Sequence, residues 1–367
     1  METVQGFDVV IVGGGPAGAA CGIELQRRGV KSCIVDRAVF PRPKLCGGLL
    51  TEKTWDCLRA LCPEAAFGPA VEAALQRVAL HGDGPLVAAD CGAVFRIADR
   101  TRLDFGLIEQ YRALGGTVFE GEQLLKLEGR TLVTDRHRFP CRAAVAADGA
   151  NSRLRRLCGL ELKGMGFCLE AELPRGDLPE EIRIQFPAGF RGYGWVFPHG
   201  ELARVGIGAH WEPGTDYPAV FRAFLDKLGI REPVKPLGAF VPYGRPLQKL
   251  TARDHVLFVG DAAGLVDPLY GEGLYYALLS GSTAGRCLAE ENGFAAYEAA
   301  MAPHLRDLRD GERLKRLFFR PFLQRKVLGK LRGKTAFLRF FADRQIARRQ
   351  YEYRAFGRLW RDYRKGQ

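Results

Sequence analysis

The sequence lacks any run of about 18 consecutive apolar residues, so it predicts no helix that spans a membrane. It also lacks the CxxC spacing of metal-binding or redox cysteine pairs, although ten cysteines are present. We therefore expect neither a metal site nor a disulfide framework, and most cysteines are predicted to be small buried residues. Hydrophobic residues make up 47% and charged residues 26% of the 367 positions, which excludes disorder and predicts a packed core.

Excess positive charge is missing from most of the chain. Residues 1–300 hold 34 Lys/Arg and 36 Asp/Glu, a net −2, whereas residues 301–367 hold 20 and 6, a net +14. The body is therefore nearly neutral and the C-terminal tail is basic. Two interpretations stay open: the tail contacts an anionic membrane surface, or its apolar stripe packs on the body and leaves a solvated basic face. No recognised nucleic-acid motif accompanies the charge, so no nucleic-acid partner is expected.

A dinucleotide-binding motif opens the chain. The apolar segment 7–12 predicts a buried parallel strand, Gly13-x-Gly15-x-x-Gly18 follows, and a helix runs to about residue 28. Gly13 permits the tight turn, Gly15 lets the backbone approach a pyrophosphate, and Gly18 lets helix and strand pack closely. A second strand ends at Asp36, whose carboxylate is placed to bind ribose hydroxyls. The predicted nucleotide contacts in this segment are Gly13, Gly15, Ala17, Gly18, Asp36 and Arg37.

The position of this motif also bears on cellular location. The first strand begins by residue 7, so cleavage of a signal peptide would destroy the nucleotide site. We therefore expect a cytoplasmic protein, with the inner face of the membrane as the surface that the basic tail would contact.

Two later turns favour FAD over NAD. A buried strand at 143–147 ends in Asp148-Gly149, and a strand at 255–259 ends in Gly260-Asp261. Three strand-terminal turns in this order resemble the p-hydroxybenzoate hydroxylase-like FAD superfamily over residues 7 to about 290. The resemblance implies FAD as the cofactor and a helix whose N-terminus faces the flavin. The further FAD contacts that it implies are Arg102, Asp148, Gly149, Gly260, Asp261, Gly271 and Gly273.

For Arg102 the resemblance implies a contact with the FAD phosphates. The alternative is a solvated arginine at the start of the helix predicted near 103–114. A single residue does not separate the two interpretations.

Two segments narrow the resemblance to the geranylgeranyl reductase family. Residues 41–48, PRPKLCGG, resemble its PxxKxCGG segment, which lies near the flavin ring in that family. Residues 193–198, YGWVFP, followed after seven residues by GxG, resemble its YxWxFP…GxG substrate signature. Core aromatics on a strand are the alternative interpretation, and both can hold together. The resemblance assigns Lys44, Cys46 and Gly47 to the flavin and, to the substrate, Tyr193, Trp195, Phe197, Pro198, Gly206 and Gly208.

The resemblance implies a FAD-dependent reductase that saturates isolated C=C bonds of geranylgeranyl-type isoprenoid lipids by flavin hydride transfer plus protonation. The predicted catalytic residues are Cys46 and Tyr193. Cys46 is either the proton donor or relay, or a small buried thiol. His199 is a weaker acid because its predicted turn exposes it. No second glycine fingerprint for a nicotinamide is present, so transient NADPH or a ferredoxin is expected to supply electrons.

Competing functions share the same fold. An aromatic monooxygenase or a flavin halogenase is the principal alternative, although halogenases carry a related Trp-x-Trp-x-Ile-Pro signature that differs here at two positions. A non-catalytic flavin-binding or lipid-carrier protein is the other, and the retained flavin-site residues argue against it.

The predicted architecture is α/β, with a Rossmann-type FAD-binding domain, an inserted antiparallel β-sheet for the substrate and a basic helical tail. We assign residues 1–164 and 246–300 to the FAD-binding domain, with some substrate-domain strands within 75–100. Residues 165–245 form the substrate-binding sheet, and residues 301–367 form the tail.

Overall fold

A computed structural model describes residues 2–187 and 190–366. The strands in these ranges are β1 (Glu2–Thr3), β2 (Val9–Val12), β3 (Ser32–Asp36), β4 (Leu49–Leu50), β5 (Val71–His81), β6 (Pro85–Ala98), β7 (Thr117–Glu120), β8 (Leu124–Glu128), β9 (Thr131–Thr134), β10 (His137–Pro140), β11 (Ala143–Ala146), β12 (Gly166–Pro174), β13 (Ile182–Gln185), β14 (Gly192–His199), β15 (Leu202–His210), β16 (Leu237–Val241), β17 (Thr251–Ala252) and β18 (Val256–Phe258). The α-helices are α1 (Pro16–Arg27), α2 (Glu52–Leu61), α3 (Arg100–Ala113), α4 (Arg153–Leu157), α5 (Tyr217–Lys227), α6 (Leu274–Leu288), α7 (Gly293–Phe318), α8 (Pro321–Leu331), α9 (Thr335–Phe341) and α10 (Phe356–Lys365).

The first sheet contains the predicted parallel strands. Its order is β17-β18-β11-β2-β3-β7, and each neighbouring pair is parallel except β17 with β18. Every residue of β2 and β11 is buried, as expected when both faces of a parallel sheet are covered. On one face α1 and α6 pack so closely that a Cβ on Gly281 would lie 2.1 Å from the Ala17 carbonyl oxygen. The predicted mixed α/β fold is confirmed, and the carboxyl ends of β2, β3, β11 and β18 meet at one edge.

The second sheet is larger than the insertion predicted from residues 165–245. Its order is β16-β12-β15-β14-β13-β5-β6-β4, with antiparallel pairs except β13 with β5. Strands β12 to β16 come from 165–245, and the other three come from residues 49–98. A smaller sheet joins β1, β10, β9 and β8.

Three predicted boundaries move. The segment 37–55, whose Pro, Gly and basic residues favour a loop, contains β4 and the start of α2. The helix predicted near 103–114 begins at Arg100, because the Asp99 side chain caps α3 by accepting from the N–H groups of Thr101 and Arg102. A helix from about Gly271, which the sequence after Asp261 also predicts, begins at Leu274.

The C-terminal tail is helical, and its first helix belongs to the core. Met301, Leu305 and Leu308 of α7 are buried against the first sheet and its helices. The helix ends at Phe318 and α8 starts at Pro321, whose missing N–H is tolerated in a first turn. Among the helices of residues 2–187 and 190–366, none is long and apolar enough to cross a membrane.

Candidate active site

A cavity of about 1430 Å³ lies between the two larger sheets. Its walls are the strand-terminal turns of the first sheet, the inner face of the second sheet, and apolar side chains of the tail. Ligand pockets usually measure about 300–1,000 Å³, so this cavity has room for a dinucleotide and a second ligand. Most of the predicted site residues line it; those that do not are Gly18, Arg102, Pro198, Gly206 and Gly260.

The glycine turn after β2 has the tight turn at Gly13 and the close packing at Gly18 that its spacing predicts, and it leaves open space at Gly15. Gly13 has a φ of +103°, and a Cβ there would lie 2.4 Å from the Ala147 carbonyl oxygen. A Cβ on Gly18 would lie 1.9 Å from the Gly13 carbonyl oxygen, so Gly18 acts in packing and not as a cavity wall. A Cβ on Gly15 would meet only the Arg42 guanidinium, at 3.5 Å, and would otherwise enter the cavity.

Three carboxylates stand at the carboxyl ends of parallel strands of the first sheet: β3, β11 and β18. Asp36 accepts from the Gly14 N–H at 2.7 Å, which ties the end of β3 to the glycine turn. Asp148 Oδ2 accepts from two N–H groups of α4, whereas its Oδ1 is buried without a partner among the described residues. Desolvation raises the pKa of Asp148 and of Asp261, and both side chains line the cavity.

These features fit FAD. An unpartnered buried carboxylate oxygen needs a donor, and ribityl or ribose hydroxyls are donors. The open space at Gly15 lies at the N-terminus of α1, where free N–H groups favour phosphate. Arg37 lines the same end of the cavity, and Gly260 supports the site indirectly, since its N–H donates to Ser280 Oγ at 2.9 Å.

The loop at 41–48 lies across the middle of the cavity. Cys46 is half-buried, and its Sγ accepts from the Gly48 N–H at 3.5 Å and lies beside the Arg100 guanidinium. A Cβ on Gly47 would lie 2.8 Å from the Phe197 ring, so the glycine allows the loop to touch the aromatic strand. Lys44, Cys46 and Gly47, which the motif assigns to the flavin, all line the cavity.

The prediction for Arg102 needs correction. Its side chain is 68% exposed, lies 3.6 Å from Asp99 and is not part of the cavity wall. Arg100, two positions earlier, is buried, lines the cavity and makes a two-bond contact with Asp104 at 2.9 and 3.1 Å. Because α3 starts three residues earlier than predicted, the inward-facing position moves to Arg100.

The aromatic motif forms one face of the second sheet. On β14 the side chains of Tyr193, Trp195 and Phe197 point into the cavity. Opposite Trp195 on β15 stands Gly206, and opposite Gly206 on β12 stands Glu170. A Cβ on Gly206 would lie 2.3 Å from the Trp195 ring. The glycine therefore lets the indole lie across β15 and donate its Nε1–H to Glu170 Oε2 at 2.9 Å.

The first aromatic residue of the motif joins the sheet to the loop before α6. The Tyr193 hydroxyl donates to the Tyr270 carbonyl at 2.7 Å, and a Cβ on Gly271 would lie 2.6 Å from that hydroxyl. Burial raises the pKa of Tyr193, so its hydroxyl stays protonated. Gly271 and Gly273 both line the cavity between this contact and Asp261.

His199 was predicted to be exposed, and the structure shows the opposite. It ends β14, is buried, and lies 3.2 Å from Glu172 and 3.5 Å from Glu72. Burial lowers its pKa, and the charge of Arg204 lowers it further. It is not among the residues that line the main cavity.

One cavity residue escaped the sequence analysis. Glu170 is buried in the middle of β12, and desolvation raises its pKa to about 7. The sequence FCLEAEL at 167–173 contains the pattern that could have identified it. Strand alternation places Cys168 and Glu170 on one face of the strand, and Cys168 also lines the cavity.

A buried ion pair fixes the loop that precedes α6. Asp267 is fully buried and accepts from the N–H groups of Leu269 and Tyr270 at 2.9 and 3.0 Å. From the tail, Arg349 makes a short contact with Asp267, and the Tyr353 hydroxyl donates to it at 2.6 Å. Burial alone would raise the pKa of Asp267, but Arg349 and the Tyr353 hydrogen bond lower it below its ordinary value.

The tail also covers the cavity. Its apolar stripe packs on the body, and side chains from α7, α8 and α9 line the cavity wall, among them Leu314, Phe318, Leu328, Leu331, Phe337 and Phe341. The excess charge lies on the same helices, so packing of the stripe and surface contact by the basic residues are compatible.

Several known proteins resemble this chain in sequence. An FAD binding domain family matches residues 6–173. A digeranylgeranylglycerophospholipid reductase 2 from Methanopyrus kandleri is 31% identical over 330 residues, covering 77% of each chain. A geranylgeranyl diphosphate reductase from Rhodobacter capsulatus is 30% identical, over 81% of this chain and 75% of the relative. A menaquinone reductase from Mycolicibacterium smegmatis is 29% identical, over 80% of this chain and 78% of the relative.

Several solved structures resemble this chain in fold. A geranylgeranyl bacteriochlorophyll reductase-like protein from Thermoplasma acidophilum matches with a TM-score of 0.78 at 20% identity, over 90% of each chain. PqsL, a probable FAD-dependent monooxygenase from Pseudomonas aeruginosa, matches with a TM-score of 0.71 at 17% identity, over 89% of this chain and 99% of that one. The L111Y mutant of the halogenase PltM in complex with FAD matches with a TM-score of 0.67 at 18% identity. The match covers 86% of this chain and 76% of that one. At these identities the matches concern the fold alone.

Proposed function

The chain belongs to the geranylgeranyl reductase family of FAD-dependent oxidoreductases, and on that premise we propose that it saturates isolated C=C bonds of an isoprenoid lipid. The observation that carries the proposal is the cavity itself. It runs from the strand-terminal carboxylates, past Cys46, to an aromatic strand and an apolar wall of tail helices. Such a wall suits a long, branched alkyl chain and offers few partners to a polar aromatic substrate.

Different residues of the chain would bind the cofactor, orient the substrate, exclude water and supply the proton. Asp36, Asp148 and the space at Gly15 would hold the cofactor, and bound reduced FAD supplies a hydride. An isolated C=C bond has no carbonyl to activate it, so the protein must place the bond, exclude water and supply a proton. Trp195 and Phe197 would orient the chain, the tail helices would exclude water, and Cys46 would donate or relay the proton.

The electron donor remains part of the proposal. NADPH that binds transiently, or a ferredoxin, would reduce the flavin before each double bond is saturated. The monooxygenase and halogenase alternatives differ in one requirement, because both consume O₂ and transfer oxygen or halogen to the substrate.

Anaerobic turnover tests the reaction class. We expect the purified protein to be yellow with non-covalent FAD and, after anaerobic reduction of the flavin, to add two hydrogens per double bond to a polyprenyl lipid. Mass analysis of the extracted lipid measures the gain. A requirement for O₂, with oxygen or halogen found in an aromatic product, would contradict the reductase assignment.

Replacing Cys46 by alanine tests the proton step. We expect lipid saturation to slow by about a hundredfold, in the range for loss of a general acid, while flavin content and flavin reduction stay unchanged. Cys57→Ala is a matched control, since Cys57 is also half-buried but does not line the cavity. A full rate in Cys46→Ala would leave the reductase assignment standing and remove the donor role of Cys46.

We also propose that the cavity opens toward an anionic membrane surface. Leu317 and Val327 line the cavity and are nevertheless 45% and 41% exposed, and Phe322 between them is 69% exposed. Helix α8, which carries Phe322 and Val327, also carries exposed basic side chains: Arg325, Lys326 and Lys330. An apolar rim with neighbouring cations matches a bilayer with anionic headgroups, from which a lipid substrate would enter.

Charge reversal at this rim gives the corresponding test. In Arg325→Glu/Lys326→Glu we expect binding to anionic vesicles to weaken by at least about tenfold, since each basic residue near such a surface contributes about 1 kcal/mol. Vesicle flotation measures the bound fraction, and flavin content reports the fold. Arg231→Glu/Lys249→Glu is charge-matched on exposed positions away from α8 and should bind normally. Equal binding by both variants would refute the membrane contact.

A further inference from the structure

We infer that Glu170 is the acid that supplies the proton for double-bond saturation, passing it to the site through the adjoining Cys46. The inference rests on the proposed function, because only that reaction needs a proton at this place. It deepens the proposal by adding a residue that lies outside the recognised motifs.

The first observation is the position of Glu170 between two cavities. Its side chain lines the main cavity, and it also lines a second, more polar cavity on the other side of the loop at 43–46. The residue is 5% exposed, so it is shielded from bulk water although both cavities reach it. A carboxyl group in such a position can receive a proton on one side and release it on the other.

The second observation is that the sheet is built around this side chain. Three strands carry matching rows on one face: Glu170 lies beside Gly206 and then Trp195, and Glu172 lies beside Arg204 and then Phe197. The missing side chain at Gly206 allows the indole N–H to reach Glu170 Oε2 at 2.9 Å. The backbone N–H of Cys46 lies near the same carboxyl and lowers its pKa. Glu170 thus lies beside both motifs that define the site.

The third observation is a polar route to solvent. Arg204 contacts Glu172 at 3.2 Å, and the Glu172 side chain is 46% exposed. Both residues line the second cavity together with Glu170. Water in that cavity would reprotonate Glu170 after each turnover without crossing the apolar cavity.

The electrostatic surroundings match a donor that works near neutral pH. Desolvation is the largest effect and raises the Glu170 pKa to about 7, while the Trp195 hydrogen bond and Arg204 lower it and Glu172 raises it. General acids are most effective when their pKa lies near the working pH. The titratable or charged groups that face Glu170 from its neighbours are Cys46, Lys44, Cys168, Glu172 and Arg204.

The proton and electron balance is complete. Bound reduced FAD would supply the hydride for one carbon, and the Cys46 thiol would give its proton to the other, so that the C=C bond would become a single bond with two new C–H bonds. Glu170 then returns a proton to the thiolate and becomes a carboxylate, which water reprotonates. A two-electron donor such as NADPH, or two one-electron ferredoxins, restores the flavin.

The first test needs no substrate. Four tryptophans are present, so the indole N–H resonances of ¹⁵N-tryptophan-labelled protein can be followed individually, with Trp195→Phe assigning its own signal. We expect the Trp195 resonance to titrate near pH 7 in the FAD-bound protein, and Glu170→Gln to abolish that titration. A Trp195 signal that stays constant from pH 5 to 9 would overturn the proposal.

The second test uses the reaction. Glu170→Gln retains an acceptor for the indole and should keep its FAD and its rate of flavin reduction. We expect its steady-state lipid saturation to fall about a hundredfold near pH 6. The wild-type rate should decline as the pH rises through 7 and Glu170 loses its proton, and the variant should lack that decline. Glu181→Gln is the control, since Glu181 is also buried but lines neither cavity.

The outcomes separate the two proposals. Wild-type protein that reduces lipid, together with an unchanged rate and pH profile in Glu170→Gln, overturns the role of Glu170 alone. Wild-type protein that carries reducible FAD but saturates no polyprenyl lipid contradicts the proposed function, and the donor role with it.

Discussion

Replacing Arg349 by alanine is expected to lower the free energy of unfolding by about 3–5 kcal/mol, because it leaves the buried carboxylate of Asp267 without its positively charged partner. Asp267 is fully buried, and Arg349 is the cation that contacts it directly among the described residues. The same guanidinium also holds Asp307 at 2.7 Å, so the substitution breaks two contacts at once. The loop 267–273 should loosen, and flavin affinity should fall with it.

The neighbouring arginine provides a matched control. Arg348 pairs with Glu52 at 2.6 Å but is 45% exposed, and exposed pairs contribute about 0–1 kcal/mol. Urea unfolding of the FAD-free proteins measures both variants. Adding Asp267→Asn to Arg349→Ala should recover part of the loss, since the stranded charge is then absent. Equal, small effects for Arg348→Ala and Arg349→Ala would show that the buried pair does not hold the loop.

Gly15→Ala and Gly18→Ala are expected to change different properties: FAD affinity in the first variant and folding stability in the second. A Cβ on Gly18 would overlap the Gly13 carbonyl oxygen at 1.9 Å, so α1 must move away from its strand. Overpacking of this kind costs about 1–3 kcal/mol or more, and we expect Gly18→Ala to destabilise the protein even without FAD. Gly15 has an extended backbone, with φ −70° and ψ −178°, and its Cβ would enter open space. We expect Gly15→Ala to leave the FAD-free protein at wild-type stability.

The loss in Gly15→Ala should appear only when the nucleotide binds. The added methyl group occupies the space proposed for the pyrophosphate, and a similar steric cost of about 1–3 kcal/mol corresponds to roughly 5- to 150-fold weaker binding. Thermal unfolding of the FAD-free proteins and fluorescence titration with FAD separate the two effects. Wild-type FAD affinity in Gly15→Ala would place the cofactor elsewhere in the cavity.

Local patterns were sufficient to predict the nucleotide side of the site. The strands that end at Asp36, Asp148 and Asp261 are apolar on both faces, and such runs have few interpretations when a turn motif follows each one. Because the carboxyl ends of parallel strands meet at one edge of a sheet, these three residues had to converge once the strand order was known.

Contacts between distant segments could not be predicted in the same way. Nothing near Arg349 distinguishes it from Arg348, since only the fold turns one toward Asp267 and the other toward solvent. Arg100 and Arg102 differ by a shift of helix start, which sequence patterns define poorly. Glu170 resembled an ordinary polar residue of an alternating strand, because its burial depends on the loop at 41–48, which covers it from outside the strand.

The distance along the chain between Asp267 and its partners affects how the protein is made. Arg349 follows Asp267 by 82 residues and Tyr353 by 86. While a ribosome synthesises the chain, the glycine turn and all strands of the first sheet emerge before the residues that fix the loop preceding α6. A growing chain can therefore assemble its nucleotide pocket early, but it completes the substrate side only after residues 349–353 have emerged. Truncated products that end before Arg349 would retain the nucleotide-binding turns, but the loop before α6 would lack the partners of Asp267.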